Sequence, residues 1–147
     1  LFSAPPYALI SKSDAASQLG SITFEQLSKK PMIMLDLPYT RDYFLELFRA
    51  RGLEPELSHS TRSSEIAQAL VEGDFGYTLL NIQPRTYSAK DSRFRAIPIS
   101  DSTDVPIFGI ATLGNLRQPK NVRSFIKICT QLRDEGVFDG FTVTVPT

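Results

Sequence analysis

Residues 31–52 read PMIMLDLPYTRDYFLELFRARG, and the arrangement of the whole chain follows from this stretch. Residues 32–35 are a short apolar run entered from a proline, which is typical of a strand buried on both faces. Pro38 breaks the run, because proline lacks a backbone donor and biases the residue before it away from helix. The stretch therefore predicts a strand, a tight turn and a helix. The apolar residues that recur at helical spacing after the turn are Tyr43, Phe44, Leu47 and Phe48.

The predicted helix ends at Gly52, which follows Arg49 and Arg51. Glycine is a common helix cap, and cations are favourable near the negative end of the helix dipole. In an open α/β sheet, the turn before such a helix lies at the carboxyl end of a strand, where free helical N–H groups can meet a ligand. An ordinary strand–helix unit without a ligand has the same pattern, so both interpretations stay open.

The composition is that of a globular protein of roughly one domain. Of the 147 residues, 41% are apolar and 22% are charged, and 16 basic residues balance 16 acidic ones. This balance gives no electrostatic argument for binding to nucleic acid or to a membrane surface, and no apolar run is long enough to cross a bilayer. The N-terminal residues do not have the pattern of a signal peptide. The chain begins with leucine rather than methionine, so we expect it to be a piece of a longer protein.

The single cysteine and the single histidine limit the chemistry of the chain. Cys129 has no partner for a disulfide or a cysteine metal cluster, and it lies in an apolar helical stripe, which predicts a buried structural thiol. His59 is not accompanied by a Ser-x-Gly-type elbow, so neither a metal cluster nor a catalytic triad is predicted. We therefore expect no catalytic residues, no metal and no cofactor. A reducing, cytoplasmic location is compatible with this cysteine usage.

Two further segments precede the central stretch. Residues 4–12 are predicted to be extended, with apolar side chains buried. Residues 21–27 are predicted to form a short helix, with Ser21 or Thr23 as the N-cap.

A second strand–helix alternation follows Gly52. A loop and a short strand lead to residues 61–64, which can cap a helix that Gly73 closes. Residues 77–82 are predicted to be a second buried strand. Two alternations in succession predict a parallel sheet with helical crossovers. The predicted apolar face of this helix consists of Ile66, Ala67, Leu70 and Val71.

For the last third of the chain, the sequence predicts one edge strand, one return strand and one helix. Residues 94–99 alternate as a strand should, and their proline favours an edge or a strand end. Residues 105–113, the longest apolar segment, are the predicted return strand. Pro119 opens a helix with an apolar stripe from Val122 to Leu132. The tail at 137–147 is predicted either to pair as a strand or to fray.

The order and spacing of these elements resemble the effector-binding region of LysR-type transcriptional regulators. The helix–glycine–strand segment at 65–81 is the most specific part of the resemblance. The segments that carry the resemblance are PPYALISKSD (5–14), ITFEQLSKKPMIMLDLPYTRDYFLELFRARGLEPEL (22–57), SSEIAQALVEGDFGYTLLNIQP (63–84), FRAIPISD (94–101) and VPIFGIA (105–111).

The resemblance implies an α/β, type 2 periplasmic-binding-protein-like fold, in which two subdomains are joined by two crossing strands and an inducer binds in the cleft between them. Residues 13–101 would form the inserted subdomain, and residues 4–12 and 105–113 would be the hinge strands. Residues 114–147, with a helix at 119–132, would return to the first subdomain. The expected fold is thus one complete subdomain, the hinge strands and a partial second subdomain.

The family's winged helix-turn-helix and linker helix are not matched by any segment here, nor is the first half of its first subdomain. The resemblance therefore implies DNA binding only through a helix-turn-helix absent from this chain, homo-oligomers formed through effector domains, and no membrane association. We also expect apolar surface to be exposed where the remaining part of the first subdomain would lie.

Three segments face the cleft by their position in the resemblance. The start of the central helix favours an anion, because its free amides and its positive dipole end lie there, and Arg41 can add a charge-assisted contact. The same groups have structural interpretations, with Thr40 as an N-cap, residues 61–63 as a cap and Asn81 as a partner of loop backbone. The candidate ligand-binding residues are Pro38, Tyr39, Thr40, Arg41, Thr61, Arg62, Ser63, Leu80 and Asn81.

The favoured function is a non-catalytic sensor domain. A small organic, anionic effector would bias the angle between the subdomains and thereby the oligomer of a regulator. The alternatives are a free-standing periplasmic-type solute-binding protein of the same fold and an enzyme that uses this fold. An export signal would favour the first alternative, and a converging nucleophile, base or metal set would favour the second. The sequence shows neither feature.

Overall fold

The computed structural model describes residues 1–83, 93–103, 105–114 and 117–146. Two short 3-10 helices, Ala15–Gln18 and Asp139–Phe141, accompany the regular elements. The strands are β1 (Phe2–Ser3), β2 (Tyr7–Ser11), β3 (Pro31–Leu35), β4 (Glu56–Thr61), β5 (Thr78–Leu80), β6 (Phe94–Pro98) and β7 (Ile107–Phe108). The helices are α1 (Phe24–Ser28), α2 (Thr40–Arg49), α3 (Ser64–Glu72) and α4 (Lys120–Asp134).

Most of the strands lie side by side in the order β4, β3, β5, β2, β6. β3 pairs with β4 in parallel, and it meets the start of β5 through a parallel bridge between Met32 and Tyr77. β2 pairs with both β5 and β6 in the antiparallel sense. The prediction of a parallel sheet is therefore right for the repeat that runs from β3 to β5 and wrong for β2. The reason is that β2 belongs to neither strand–helix repeat, so no helical crossover constrains its direction.

The strands separate two hydrophobic clusters. Side chains of β2 and β3 alternate between these clusters, so both strands are buried on each face, as their continuous apolar runs predict. One cluster packs under α1 and α2 and includes Ala8, Ile10, Phe24, Leu27, Met32, Met34, Phe44, Leu47 and Phe48. The other packs under α3 and includes Tyr7, Leu9, Ile33, Leu35, Ala67, Val71, Leu80 and Phe94.

The predicted helix ends are largely confirmed. After α2, Gly52 has a φ of 68°, its amide donates to the Arg49 carbonyl at 2.9 Å, and the Leu53 amide donates to the Phe48 carbonyl at 3.0 Å. This is the hydrogen-bond pattern of a glycine C-cap. Before α1, Thr23 forms a capping box with Gln26, so Thr23 rather than Ser21 is the N-cap.

The apolar face predicted for α3 is only partly buried. Ala67 and Val71 are fully buried against the sheet, whereas the side chain of Ile66 is 54% exposed. Successive side chains of a helix point in different directions around its axis, so Ile66, one position before Ala67, faces away from the strands.

The strand β4 forms an exposed edge, and its pairing with β3 contains an irregularity. Met32 lies opposite Leu57 and Ile33 lies opposite His59, so Ser58 has no partner residue on β3. The Ser58 hydroxyl instead donates to the carbonyls of Met32 at 3.2 Å and Phe75 at 3.3 Å. Ser58 is therefore the extra residue of a β-bulge.

The C-terminal third departs most from the predictions. Only β7 of the predicted return strand at 105–113 is regular, and it pairs antiparallel with β1. The helix α4 follows Pro119 as predicted, but none of its residues is buried, and Cys129 is half-buried rather than a core thiol. The tail forms the 3-10 helix Asp139–Phe141 and pairs in no strand among its described residues, so the strand alternative for the tail is wrong. The Phe2 ring of β1 stacks on Phe108, Phe138 and Phe141, and Val143 packs against the cluster under α3, so this third of the chain is covered only in part.

The subdomain boundaries stay a prediction. The strand β2, within the predicted hinge segment 4–12, is a central strand of the sheet. The contacts between the start of the chain and the segment at 105–113 include the pairing of β1 with β7 and a bond from the Ala4 amide to the Pro106 carbonyl at 2.7 Å. Most of the surface connection predicted at 83–92 lies outside the described residues.

The buried side chain of Tyr77 gives a stability prediction. Its hydroxyl has no hydrogen-bond partner in the described part of the chain, and burial raises the pKa of the phenol above its ordinary 10.0. Because a buried, unpaired hydroxyl costs free energy, we expect Tyr77→Phe to stabilise the protein by about 1 kcal/mol in urea unfolding.

The same substitution should change the pH dependence of stability. The folded state keeps the Tyr77 proton while the unfolded chain releases it above pH 10, so this contribution to stability falls as the pH rises beyond that value. Tyr77→Phe should lose less stability than the parent between about pH 8 and about pH 11. The exposed Tyr39→Phe is the matched control. A lower stability of Tyr77→Phe at neutral pH would show that the hydroxyl is hydrogen-bonded.

Candidate functional site

A cavity of about 310 Å³ lies where three parts of the chain meet: the start of α2, the end of β5 and the β1–β7 crossing. Most of its wall is apolar. The residues that line it are Ala4, Tyr39, Thr40, Tyr43, Asn81, Ile82, Pro106, Ile107 and Phe108. Three of the sequence-predicted residues, Tyr39, Thr40 and Asn81, are therefore brought together here.

The start of α2 supplies backbone donors to this cavity. Tyr39 precedes the helix with a φ of 65° and makes no side-chain capping bond, so Thr40 is the first helical residue and its predicted role as an N-cap is wrong. The amides of Arg41 and Tyr43 donate to the carbonyls of Leu37 and Tyr39. The amides of Thr40 and Asp42 have no partner in the described part of the chain. Thr40 lines this cavity and Asp42 lines a neighbouring depression, so the Thr40 amide and the positive end of the helix dipole favour an acceptor at this end of the cavity.

Asn81 connects the start of the chain to α2. Its side-chain amide nitrogen donates to the Ala4 carbonyl at 2.8 Å and to the Tyr43 hydroxyl at 3.4 Å. The structural interpretation of Asn81 as a partner of loop backbone is therefore confirmed by the bond to Ala4. Its amide oxygen is the part of the side chain that these two bonds leave for a ligand.

The two predicted arginines lie beside this cavity, not in its wall. Arg41 and Arg62 line a neighbouring depression together with Asp36 and Asp42, and Tyr39 borders both spaces. A guanidinium nitrogen of Arg41 lies 3.6 Å from a carboxylate oxygen of Asp36, and both side chains are partly exposed. Two cations and two carboxylates thus balance in the depression, which weakens its attraction for an anion. Pro38 also lines this depression.

The other predicted residues have structural contacts in the described chain. The Thr61 hydroxyl accepts a bond from the Ser63 amide at 3.2 Å, and the Ser63 hydroxyl accepts one from the Ile66 amide at 3.3 Å, which caps α3. Ser63 also donates to Glu65 at 2.7 Å and holds the pKa of that carboxyl below its ordinary value. Leu80 is buried opposite Tyr7 in the sheet. None of these three residues lines the cavity at α2.

Sequence reasoning missed part of the cavity wall. Tyr43 packs partly against the core, as its predicted place on the core face requires, but it also lies one turn after Thr40, so the helical period places both at the cavity. That period was available in the sequence. Residues 106–108 and Ala4 reach the cavity only through the pairing of β1 with β7, which no local pattern reveals.

Among the described residues, no three histidine, cysteine, aspartate or glutamate side chains lie close enough together to hold a metal ion. No helix in the described ranges has the length and apolarity needed to cross a membrane.

Comparisons with known proteins identify the family and the fold. Residues 1–133 match the family model of the LysR substrate binding domain. A search of curated proteins gave no match. Among solved structures, HinK, a LysR family transcriptional regulator from Pseudomonas aeruginosa, is 26% identical, with a TM-score of 0.75 over 88% of this chain and 45% of HinK.

Two effector domains with bound ligands have the same fold at lower identity. The regulatory domain of CcmR from Synechocystis PCC6803, in complex with 2-PG, has a TM-score of 0.77 at 14% identity over 97% of this chain and 66% of that one. The effector-binding domain of BenM, with its effector benzoate, has a TM-score of 0.73 at 15% identity over 93% and 63%. The present chain thus spans about half of HinK and about two thirds of each isolated domain. The fold is type 2 periplasmic-binding-protein-like α/β, and the chain belongs to the LysR substrate-binding-domain family.

Proposed function

We propose that this chain is the effector-sensing part of a LysR-type transcriptional regulator and that it binds a small organic anion in the cavity at the start of α2. The observation that carries the proposal is the composition of the cavity wall. Helix α2 and the end of β5 supply one side, and the β1–β7 crossing supplies the other. A ligand held there contacts both and therefore favours one angle between them.

The polar end of the cavity fits an acceptor group of the ligand. The unpaired amide and the hydroxyl of Thr40 are the donors, and the helix dipole adds to their effect on a negative charge. Arg41 and Arg62 lie in the neighbouring depression, where Asp36 and Asp42 balance their charge, so the first turn of α2 rather than these arginines holds the anion.

The remaining parts of the proposal concern the whole protein. The regulator forms a homo-oligomer through its effector domains, binds DNA through a helix-turn-helix outside this chain, and acts in the cytoplasm. It performs no catalysis, since its known relatives act as regulators and the described residues bring no nucleophile and base together at the cavity. Changes in the angle at the crossing would reach DNA through the oligomer.

The test uses the full-length protein that carries this chain. An effector is identified by thermal-shift screening of small organic acids, and its affinity is measured by calorimetry. Thr40→Val removes the hydroxyl at nearly constant volume and should weaken binding about tenfold, which corresponds to about 1.4 kcal/mol.

Thr61→Val is the matched control, because it makes the same change at the start of α3. Arg62→Ala should weaken binding less than Thr40→Val, since this guanidinium lies outside the cavity. If Thr61→Val weakens binding while Thr40→Val does not, the ligand sits at α3 and the proposed position is wrong.

A further inference from the structure

The wall that this chain contributes to the cavity contains large apolar side chains that the rest of the fold leaves uncovered. Ile107 is 79% exposed, and its neighbour Phe108 in β7 is also exposed. Ile82, which follows the end of β5, is exposed as well. The Tyr43 ring, which packs against Phe44 with the centroids 5.1 Å apart, completes this wall. Apolar side chains arranged around a cavity of about 310 Å³ favour a ligand with an apolar body.

The polar capacity of the same wall is small. The Asn81 amide nitrogen already donates to Ala4 and Tyr43, so the polar side-chain atoms that the wall can offer include the Asn81 amide oxygen and the hydroxyls of Thr40 and Tyr43. No lysine or arginine is among the lining residues, because Arg41 and Arg62 lie in the neighbouring depression with Asp36 and Asp42. The anion-binding groups are thus confined to one end of the cavity, at the first turn of α2.

A ligand rich in hydroxyls would leave most of its polar groups unpaired against this wall. Burying a polar group without a partner costs free energy, so each such hydroxyl weakens binding. A phosphate ester carries two charges at neutral pH, and the cavity wall offers it no side-chain cation. Both ligand types are therefore disfavoured by this half of the site.

We infer that the effector is an apolar monocarboxylic acid with a body about the size of one six-membered ring. This inference rests on the proposed function and specifies the chemistry of its ligand. The carboxylate accepts hydrogen bonds from the amide and the hydroxyl of Thr40, and the ring lies against Tyr43, Ile82 and Phe108. Ile107 closes the outer side of the ring and is a specificity-determining residue.

The test compares three acids on the full-length protein by thermal shift and calorimetry. Benzoate has an apolar ring, shikimate carries a carboxylate on a hydroxylated ring, and 2-phosphoglycolate is small and multiply charged. We expect benzoate, or a substituted benzoate in the same panel, to bind at least tenfold more tightly than the other two.

Two other outcomes would contradict the proposals. Tighter binding of shikimate or 2-phosphoglycolate would overturn the inference but leave the sensor function standing. If no acid in a broad panel of apolar, hydroxylated and phosphorylated compounds raises the melting temperature, both the inference and the proposed function are wrong.

A pair of variants tests whether the ring of the ligand lies against Ile107. Ile107→Asn should weaken benzoate binding about tenfold, whereas Leu113→Asn should leave it unchanged. Leu113 is the matched control because it is an aliphatic residue of the same segment, is 71% exposed and does not line the cavity. Since both side chains are exposed, neither variant should change the unfolding midpoint. Equal affinity of Ile107→Asn and the parent would overturn the assignment of Ile107.

Discussion

Replacing Gly76 with alanine is expected to destabilise the protein by about 2–4 kcal/mol. Gly76 has a φ of 143°, which side chains rarely tolerate, and a Cβ built on it would lie 2.3 Å from the Pro31 carbonyl oxygen. That carbonyl accepts a hydrogen bond from the Tyr77 amide, which joins β3 to β5. Alanine can therefore be accommodated only if the contact between these two strands opens.

Urea unfolding followed by circular dichroism measures this effect, and Gly20→Ala is the matched control. No atom lies within 4 Å of a Cβ built on Gly20, so its substitution should change the free energy of unfolding by less than about 1 kcal/mol. Equal midpoints for the two variants would mean that β3 and β5 do not approach each other as closely as described.

Replacing Phe48 with alanine is expected to cost about 3–5 kcal/mol. The Phe48 ring is completely buried, and it meets the Phe24 ring edge-on with the centroids 5.0 Å apart. Its removal leaves a cavity between α1 and α2 and removes an aromatic pair. Phe44→Ala and Leu47→Ala act on the same buried face of α2 and should cost about 2–5 kcal/mol.

Phe125→Ala is the control, because it makes the same replacement of phenylalanine by alanine at an exposed position. Phe125 lies on α4 and is 59% exposed, so the substitution should change stability by no more than about 0.5 kcal/mol in the isolated chain. If Phe125→Ala were as destabilising as Phe48→Ala, α4 would pack on the core in solution, contrary to the structure.

Local features of the fold could be predicted because short-range physics determines them. The apolar run before Asp36 forms a doubly buried strand, the glycine after α2 caps it, and Ser63 caps α3, all within a few residues of the signal. The family resemblance and the α/β fold are confirmed as well. Pairing of distant segments was harder: β2 lies between β5 and β6, and the sequence contains no local indication of that position.

The candidate site was predictable only in part, for the same reason. Tyr39 and Thr40 follow directly from the strand–turn–helix pattern. Residues 106–108 come from a segment whose apolarity indicates a buried strand, and their exposure depends on which other elements cover them. Cys129 illustrates the same limit, since a helical apolar stripe predicts a contact surface but not the element that occupies it.

The bulge at Ser58 bears on how this protein behaves at high concentration. An exposed edge strand such as β4 offers its free backbone groups to any other chain, and flat edges of this kind are common starting points of aggregation. The extra residue twists β4 and interrupts the regular spacing of its amides and carbonyls. A second strand cannot continue its ladder past that residue. Deleting Ser58 should therefore favour insoluble assemblies of the folded protein, even if the hydrophobic core remains intact.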